Sequence, residues 1–378
     1  EKDKPVEKLH KALAKLSLTA IENKLRFKIK REFARETIGN KMFKLACDLG
    51  WLNLVEKESQ LQGTVYCFFH PTFQEYFAAQ AIDDWHFFLD ESPKDITKRI
   101  YRIFDSQWKE VILFWLGRED LKQDIKEKFI HDLVWFPDLC QGFYGYQAYF
   151  LAAAGINEFQ DCSPDLTEEI VTKVIQLSFG YFNEEKQQWM QFLEPIAKPA
   201  QIALLETNQK IAIKFLIKRL NNCNKNSVIQ EIINILGQIG VGDEKAIATI
   251  KNLLEDKELN QNETIKLCAA HNLCIIEPNN QKAIKTQIEL LKTGNERWTK
   301  IYAARSLRVI GNNDRLAINE LTNILKTNDN NCFDNTNILR FSSETLEIIA
   351  VGNKKFIQKL IEFINSDNNT WNCELAVS

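Results

Sequence analysis

At 378 residues the chain exceeds the size at which one hydrophobic core usually suffices, so two or more packed units are expected. Hydrophobic residues at 45% with 26% charged residues match a soluble globular protein, and the longest apolar stretch, around Ala148 to Ile156, is too short to span a bilayer. A formal net charge of -3 gives no general pull toward nucleic acid or anionic lipid, so neither a nucleic acid nor a membrane is expected as partner.

The nine cysteines are scattered, without a C-x-x-C pair, which fits reduced thiols in a cytoplasmic protein. The chain opens on Glu1-Lys-Asp-Lys-Pro5 with no initiator Met and no apolar signal core, as expected of a piece of a longer protein.

Val6, Leu9, Leu13, Leu16 and Ala20 trace one face of a first helix. Lys24-Leu-Arg-Phe-Lys-Ile-Lys30 then alternates, the pattern of a short half-buried strand, which makes Lys24, Arg26, Lys28, Lys30, Arg31 and Arg35 solvated surface residues. A second helix carrying Ile38, Phe43, Leu45 and Leu49 ends at Gly50. Two strands follow, Trp51-Leu-Asn-Leu-Val55 and Thr64-Val-Tyr-Cys-Phe-Phe69, around a turn at 60–63. Helices followed by a hairpin predict a winged-helix-like domain over residues 1–84.

The hairpin runs into Phe68-Phe-His-Pro-Thr-Phe-Gln-Glu-Tyr-Phe-Ala-Ala79, the most specific string in the sequence. Thr72 and Glu75 have capping-box spacing, so a helix is expected to start there and leave N–H groups and partial positive charge beside His70. A histidine so placed can donate to a phosphate.

Residues 85–200 are helical in pattern but aperiodic, with Tyr101, Phe104, Trp108, Phe114, Trp115, Trp135, Phe136, Phe143, Tyr144, Tyr146, Tyr149 and Phe150 expected mainly as core of a helical linker domain. From 201 to 378 a repeat is visible. Ile213, Ile247, Ile284, Ile318 and Ile357 are spaced 34, 37, 34 and 39 residues apart. Eleven residues before each stand Ile202, Leu236, Leu273, Leu307 and Leu346, and eight before each stand Leu205, Ile239, Ile276, Ile310 and Ile349. These offsets describe one face of a helix within a helical hairpin, and all ten are expected to be buried. Polar turns such as Gly240-Val-Gly-Asp-Glu244 separate the two helices. Leu236-Gly-Gln-Ile-Gly-Val-Gly-Asp-Glu-Lys-Ala-Ile247 resembles the HEAT repeat, which implies an α-solenoid that binds a partner protein. The fold class is thus mainly α: winged-helix-like domain, helical linker, HEAT-like solenoid.

The string around His70 resembles the end of the winged-helix domain in NACHT-family STAND ATPases, F-x-H-x-[ST]-F-Q-E-[YF]-x-A, matched by Phe68, His70, Thr72, Phe73, Gln74, Glu75, Tyr76 and Ala78. Trp115-Leu-Gly-Arg-Glu-Asp120 and Tyr149-Phe-Leu-Ala-Ala-Ala-Gly155 are similar to bacterial, cyanobacterial-type members that end in HEAT repeats. The resemblance implies a C-terminal regulatory half of a switch that uses ADP or ATP with Mg, partnered in cis by an upstream ATPase domain. It also implies a trigger protein on the repeats, homo-oligomers on activation, and a role in signalling or defence against phage. The phosphate contact to ADP is carried over to His70 alone. No catalytic or metal residue is expected. There is no G-x-x-x-x-G-K-[ST] loop, and His10, His86, His131 and His271 lack ligand-spaced neighbours. Competing readings are a plain HEAT scaffold and a subunit resembling phycobilin lyases, whose repeats have a similar form. The latter leaves the His70 string unexplained.

Overall fold

The computed structural model describes residues 4–56, 64–89, 91–92, 100–137, 142–256, 262–295, 297–309, 315–327, 336–351 and 358. These are mainly helical, with small antiparallel strand groups. The chain divides into two compact units, Glu1–Asn208 and Gln209–Ser378.

In the first unit α1 (Lys4–Glu22) buries Leu9, Leu13, Leu16 and Ala20, spaced three and four apart as an amphipathic helix requires. Strand β1 is only Ile29–Lys30, because Lys24 and Phe27 take positive φ and the alternating segment before them is a turn. α2 (Arg31–Asp48) is broken at Gly39, where φ of 79° and ψ of 153° leave the helical region. β2 (Leu52–Glu56) and β3 (Val65–Phe68) pair antiparallel with Leu52 opposite Phe68, and β1 pairs on the other side of β3, giving the order β1-β3-β2. Leu16, Ile29, Phe43, Leu52, Phe68 and Phe77 share one core beneath this sheet. α3 (Pro71–Gln80) packs along α1. The 60–63 turn lies outside the described residues.

α4 (His86–Leu89), α5 (Lys109–Leu116), α6 (Gln123–Val134), α7 (Phe143–Glu158) and α8 (Pro164–Phe179) continue the same unit, α5 on α3 and α7 on α5. Strands β4 (Glu91–Ser92) and β5 (Ile100–Tyr101) form one small pair, β6 (Tyr181–Asn183) and β7 (Gln188–Met190) another. No unit boundary falls at 84/85. Trp115 Nε1 donates to the carbonyl of Ile82 at 2.9 Å, and Arg118 Nη1 donates to the carbonyls of Ala79 at 3.0 Å and Ile82 at 2.7 Å. These bonds tie the following helices to the end of α3. The aromatic residues split. Trp108 and Trp115 are buried, but Tyr101, Trp135, Phe143 and Tyr144 are exposed, with Phe104 and Phe136 half-buried among them. Helix ends and short segments hold those rings at the edge of the unit, where part of each stays in water.

α9 (Glu194–Glu206) packs on α7 and α8, so a boundary at 200/201 would cut a helix of the first unit. The first predicted repeat is also out of register: Ile202 is 51% exposed and Leu205 half-buried. Only Thr207 and Asn208 separate α9 from α10 (Gln209–Asn221), against four residues, Gly240 to Asp243, in the next pair. The fully buried positions near the end of α9 are instead Leu204 and Thr207, since α9 packs on α7 and α8.

The second unit continues with α11 (Asn226–Ile239), α12 (Glu244–Leu253), α13 (Glu263–Ile276), α14 (Gln281–Thr293), α15 (Arg297–Ser306), α16 (Arg315–Thr327) and α17 (Thr336–Ile349). Each odd-numbered helix from α11 packs on the next odd one, α12 packs on α11 and α13, α14 on α13 and α15, and α16 on α17. Leu236, Ile239, Leu273, Ile276, Leu307, Leu346 and Ile349 are buried as the spacing predicts, while Ile310 lies outside the described residues. Asp243, Asn262 and Asn280 cap α12, α13 and α14 by accepting from first-turn N–H groups. Gln287 on α14 is fully buried and donates to Cys274 Sγ at 3.6 Å.

Gly237 shows why a glycine stands in the repeat. A Cβ built there would lie 1.9 Å from Asn272 Oδ1 and 2.8 Å from Asn272 Cβ, so α13 would have to move. Asn272 is itself held by Nδ2 donating to Asn234 Oδ1 and to the carbonyl of Cys268, both at 2.9 Å.

Gly237→Ala is therefore expected to destabilise the chain by roughly 1–3 kcal/mol despite its better helix propensity, and the Asn272→Ala double variant to recover part of that. Leu273→Ala should cost about 2–5 kcal/mol. Urea melts measure both. Burial holds the His271 imidazole below its ordinary value, against a backbone hydrogen bond at Ser306 that raises it. The folded form thus resists a proton that the unfolded chain accepts below about pH 6.5. Stability should fall as pH drops through that value, and less so in His271→Gln, by comparison of urea midpoints at neutral and acid pH.

Candidate functional site

The site is built on α3. The chain leaves β3 through Phe69, whose N–H donates to the carbonyl of Trp51 at 3.1 Å and extends the hairpin by one rung. His70 then takes extended φ/ψ of -135° and 143° and becomes the N-cap of the helix. Pro71 occupies the first helical position, where its missing N–H costs nothing and its fixed φ suits the helix.

The expected capping box does not form. Thr72 N–H lies 3.3 Å and Thr72 Oγ1 2.7 Å from His70 Nδ1. A backbone N–H can only donate, so Nδ1 is the acceptor and the neutral ring carries its proton on Nε2. Phe73 N–H donates to the His70 carbonyl at 3.0 Å. Thr72 N–H and Phe73 N–H are thus both used by His70 itself, and Pro71 has none. What the ring can offer an anion is its Nε2–H, on a solvent-exposed imidazole.

Glu75, the other half of the expected box, points inward instead. It is buried and pairs with the Arg26 guanidinium, and the equally buried Gln74 accepts from Phe27 N–H at 3.1 Å through Oε1. That donor requires an acceptor, which fixes the amide orientation and leaves Gln74 Nε2 buried with no hydrogen-bond partner among the described residues. The segment around Lys24 and Phe27 is thereby clamped onto α3, and Arg26 is a partner of the site and not the surface cation expected from alternation. Spacing alone could not reveal this, since a turn brings residues 26 and 75 together. Glu110, on α5, faces the same cluster: partial burial, then the nearby Glu75 carboxylate, pushes its carboxyl above the ordinary range.

Phe77 fills the core against Trp51, Phe68 and His10, and Phe73 meets Trp51 edge to face at 5.2 Å. At the far end Arg118 is buried against the carbonyl of Ala79 in the last turn of α3 and that of Ile82 just beyond it, and holds Asp120 through paired bonds of 3.0 and 2.6 Å. A cation there complements the helix dipole. Phe69, next to His70 in the chain, is 73% exposed, and Tyr76 is exposed further along α3.

His86 pairs with Asp84 at 2.6 Å, and among the described residues no three His, Cys, Asp or Glu could hold a metal ion. None of the described cysteines forms a disulfide, and burial pushes the Cys268 thiol up to about 12. No described helix is long and apolar enough to cross a membrane. Compared with protein-family models, with curated proteins and with solved structures, the chain matches none.

Removing Arg26 leaves Glu75 buried without its cation. Arg26→Ala should therefore cost about 1–3 kcal/mol, less than for a fully buried pair because Arg26 is partly in water, and Arg26→Ala with Glu75→Gln less than Arg26→Ala alone. A double-mutant cycle of thermal melts gives both numbers.

Proposed function

We propose that this chain is the regulatory and sensor region of a NACHT-like nucleotide switch, in which His70 contacts a phosphate of ADP and the repeats of the second unit receive a trigger protein. The observation that carries the reading is the histidine N-cap. Its Nδ1 is occupied by the backbone of α3, so the ring is held in one orientation and Nε2–H is the donor presented outward. One such donor fits a single phosphate oxygen, and the nucleotide's remaining phosphates and Mg would be held by an ATPase domain acting in cis. The β1-β3-β2 order beneath α1 and α3 supports the winged-helix reading, and the succession of contacts from α11 to α13, α15 and α17 supports the solenoid reading.

In this reading the clamp of Gln74 and Glu75 on residues 26 and 27 keeps α3, and with it His70, at a constant place relative to the sheet. The closed ADP state gains one charge-assisted hydrogen bond, and a trigger on the repeats would shift the population toward a state that lacks it. Hydrolysis is left to the partner domain, so the 378-residue chain alone is expected to show no ATP turnover above background.

His70→Asn separates capping from phosphate binding, because Asn is a good N-cap but places no donor where Nε2 stands. In the protein carrying an ATPase domain, His70→Asn should melt within about 1 kcal/mol of the parent. It should bind ADP roughly tenfold to a hundredfold more weakly, the worth of one hydrogen bond to a charged group. Calorimetry reads the affinity, and light scattering should show oligomers without trigger. Unchanged ADP affinity would make His70 a structural cap and end the switch proposal.

A further inference from the structure

The second unit carries a concentration of positive charge and aromatic surface that the net charge of the chain conceals. Residues 297–308 read Arg-Trp-Thr-Lys-Ile-Tyr-Ala-Ala-Arg-Ser-Leu-Arg, with four basic residues and no acidic one. On α15 Trp298 and Tyr302 are 63% and 51% exposed, one turn apart, with ring centroids 6.3 Å apart. Arg305, also exposed, follows on the same face, because residues 298, 302 and 305 are spaced four and three apart.

Three guanidinium groups gather at the end of this stripe. Arg305, Arg308 and Arg340 lie 5.0, 5.9 and 5.6 Å from the centroid of Phe341 on α17. Like charges this close repel, and two things offset the repulsion: the ring face, and Glu344, which pairs with both Arg308 and Arg340. The Arg340 contact, first among its neighbours, holds the Glu344 carboxyl below the usual range. One carboxylate against three cations leaves the group net positive beside two exposed aromatic faces.

We propose that this face of α15 and α17 is a binding surface for single-stranded nucleic acid, with phosphodiesters on Arg305, Arg308 and Arg340 and bases stacked on Trp298 and Tyr302. An aromatic face accepts any base and a guanidinium any phosphodiester, so binding is tolerant of sequence. An acidic peptide would satisfy the arginines but would leave the aromatic pair unused, and duplex DNA would keep its bases stacked away from it. The proposal is independent of His70.

The test is fluorescence anisotropy of the full chain with labelled 15-mers of oligo(dT) and oligo(U). Binding of either is expected at low salt, weakening roughly twentyfold between 50 and 200 mM, the response of about three neutralised phosphates on a single strand. Trp298→Ala should weaken binding about tenfold through lost stacking, and Arg305→Ala should flatten the salt dependence. Glu344→Gln, which releases two guanidiniums, should tighten binding several-fold. Trp135→Ala, an exposed tryptophan of the first unit, should bind as the parent does. These side chains are exposed or half-exposed, and circular dichroism checks that each variant is folded. No binding at low salt overturns the proposal. So does parental affinity in both Trp298→Ala and Arg305→Ala, or an oligoglutamate competing as well as the oligonucleotide.

Discussion

The placement of α3 depends on an ion pair whose carboxylate is buried and whose guanidinium is partly in water. Glu75 reaches back across the primary sequence to Arg26, and beside it Gln74 receives the N–H of Phe27. A buried carboxylate without its cation would be costly, so the turn around Phe27 and the helix must come together for either to be stable. At its other end α3 is held by Arg118 on the carbonyl of Ala79 in its last turn and on that of Ile82 just beyond it. A ten-residue helix fixed at both ends and packed on α1 and α5 is a rigid base, and it gives the exposed imidazole of His70 a defined direction.

The division of labour along α3 follows from helix geometry. Gln74, Glu75, Ala78 and Ala79 turn into the protein, while Tyr76 and the cap residue His70 remain at the surface. Most of the string that distinguishes this segment is therefore spent on building the helix, and the cap residue and Tyr76 stay exposed. The cap explains why a histidine can stand where Ser, Thr, Asp or Asn is usual: its Nδ1 accepts from the backbone as their oxygens do, and the ring keeps a second, outward nitrogen.

The second unit works by a different constraint. Its helices meet mainly their neighbours in sequence, so each pair depends on small residues and caps that set spacing locally, as Gly237 does beneath Asn272 and Asp243 at the start of α12. A surface built from successive helices can then carry features that no single segment holds. The guanidinium cluster around Phe341 is one, with arginines from both sides of the α15 to α17 packing.

Helical character, the positions of most helices and the buried aliphatic face of the later repeats were legible in the sequence by itself. Periodicity reports which side of a helix avoids water, and that is a local property. Leu236, Leu273 and Leu307 stand where their spacing puts them. The first repeat failed because α9 belongs to the first unit and packs on α7 and α8, so Ile202 turned outward while Leu204 turned in. His70 could be singled out from the string around it, but its function as the cap could not. Thr72 and Glu75 have the spacing of a capping box, and only the tertiary structure decided that Glu75 would turn to Arg26 instead. The physical reason is general to such sites: a side chain near a helix start chooses between local backbone N–H groups and a distant cation, and when the carboxylate is buried with that cation brought against it the charge pair prevails over the local cap.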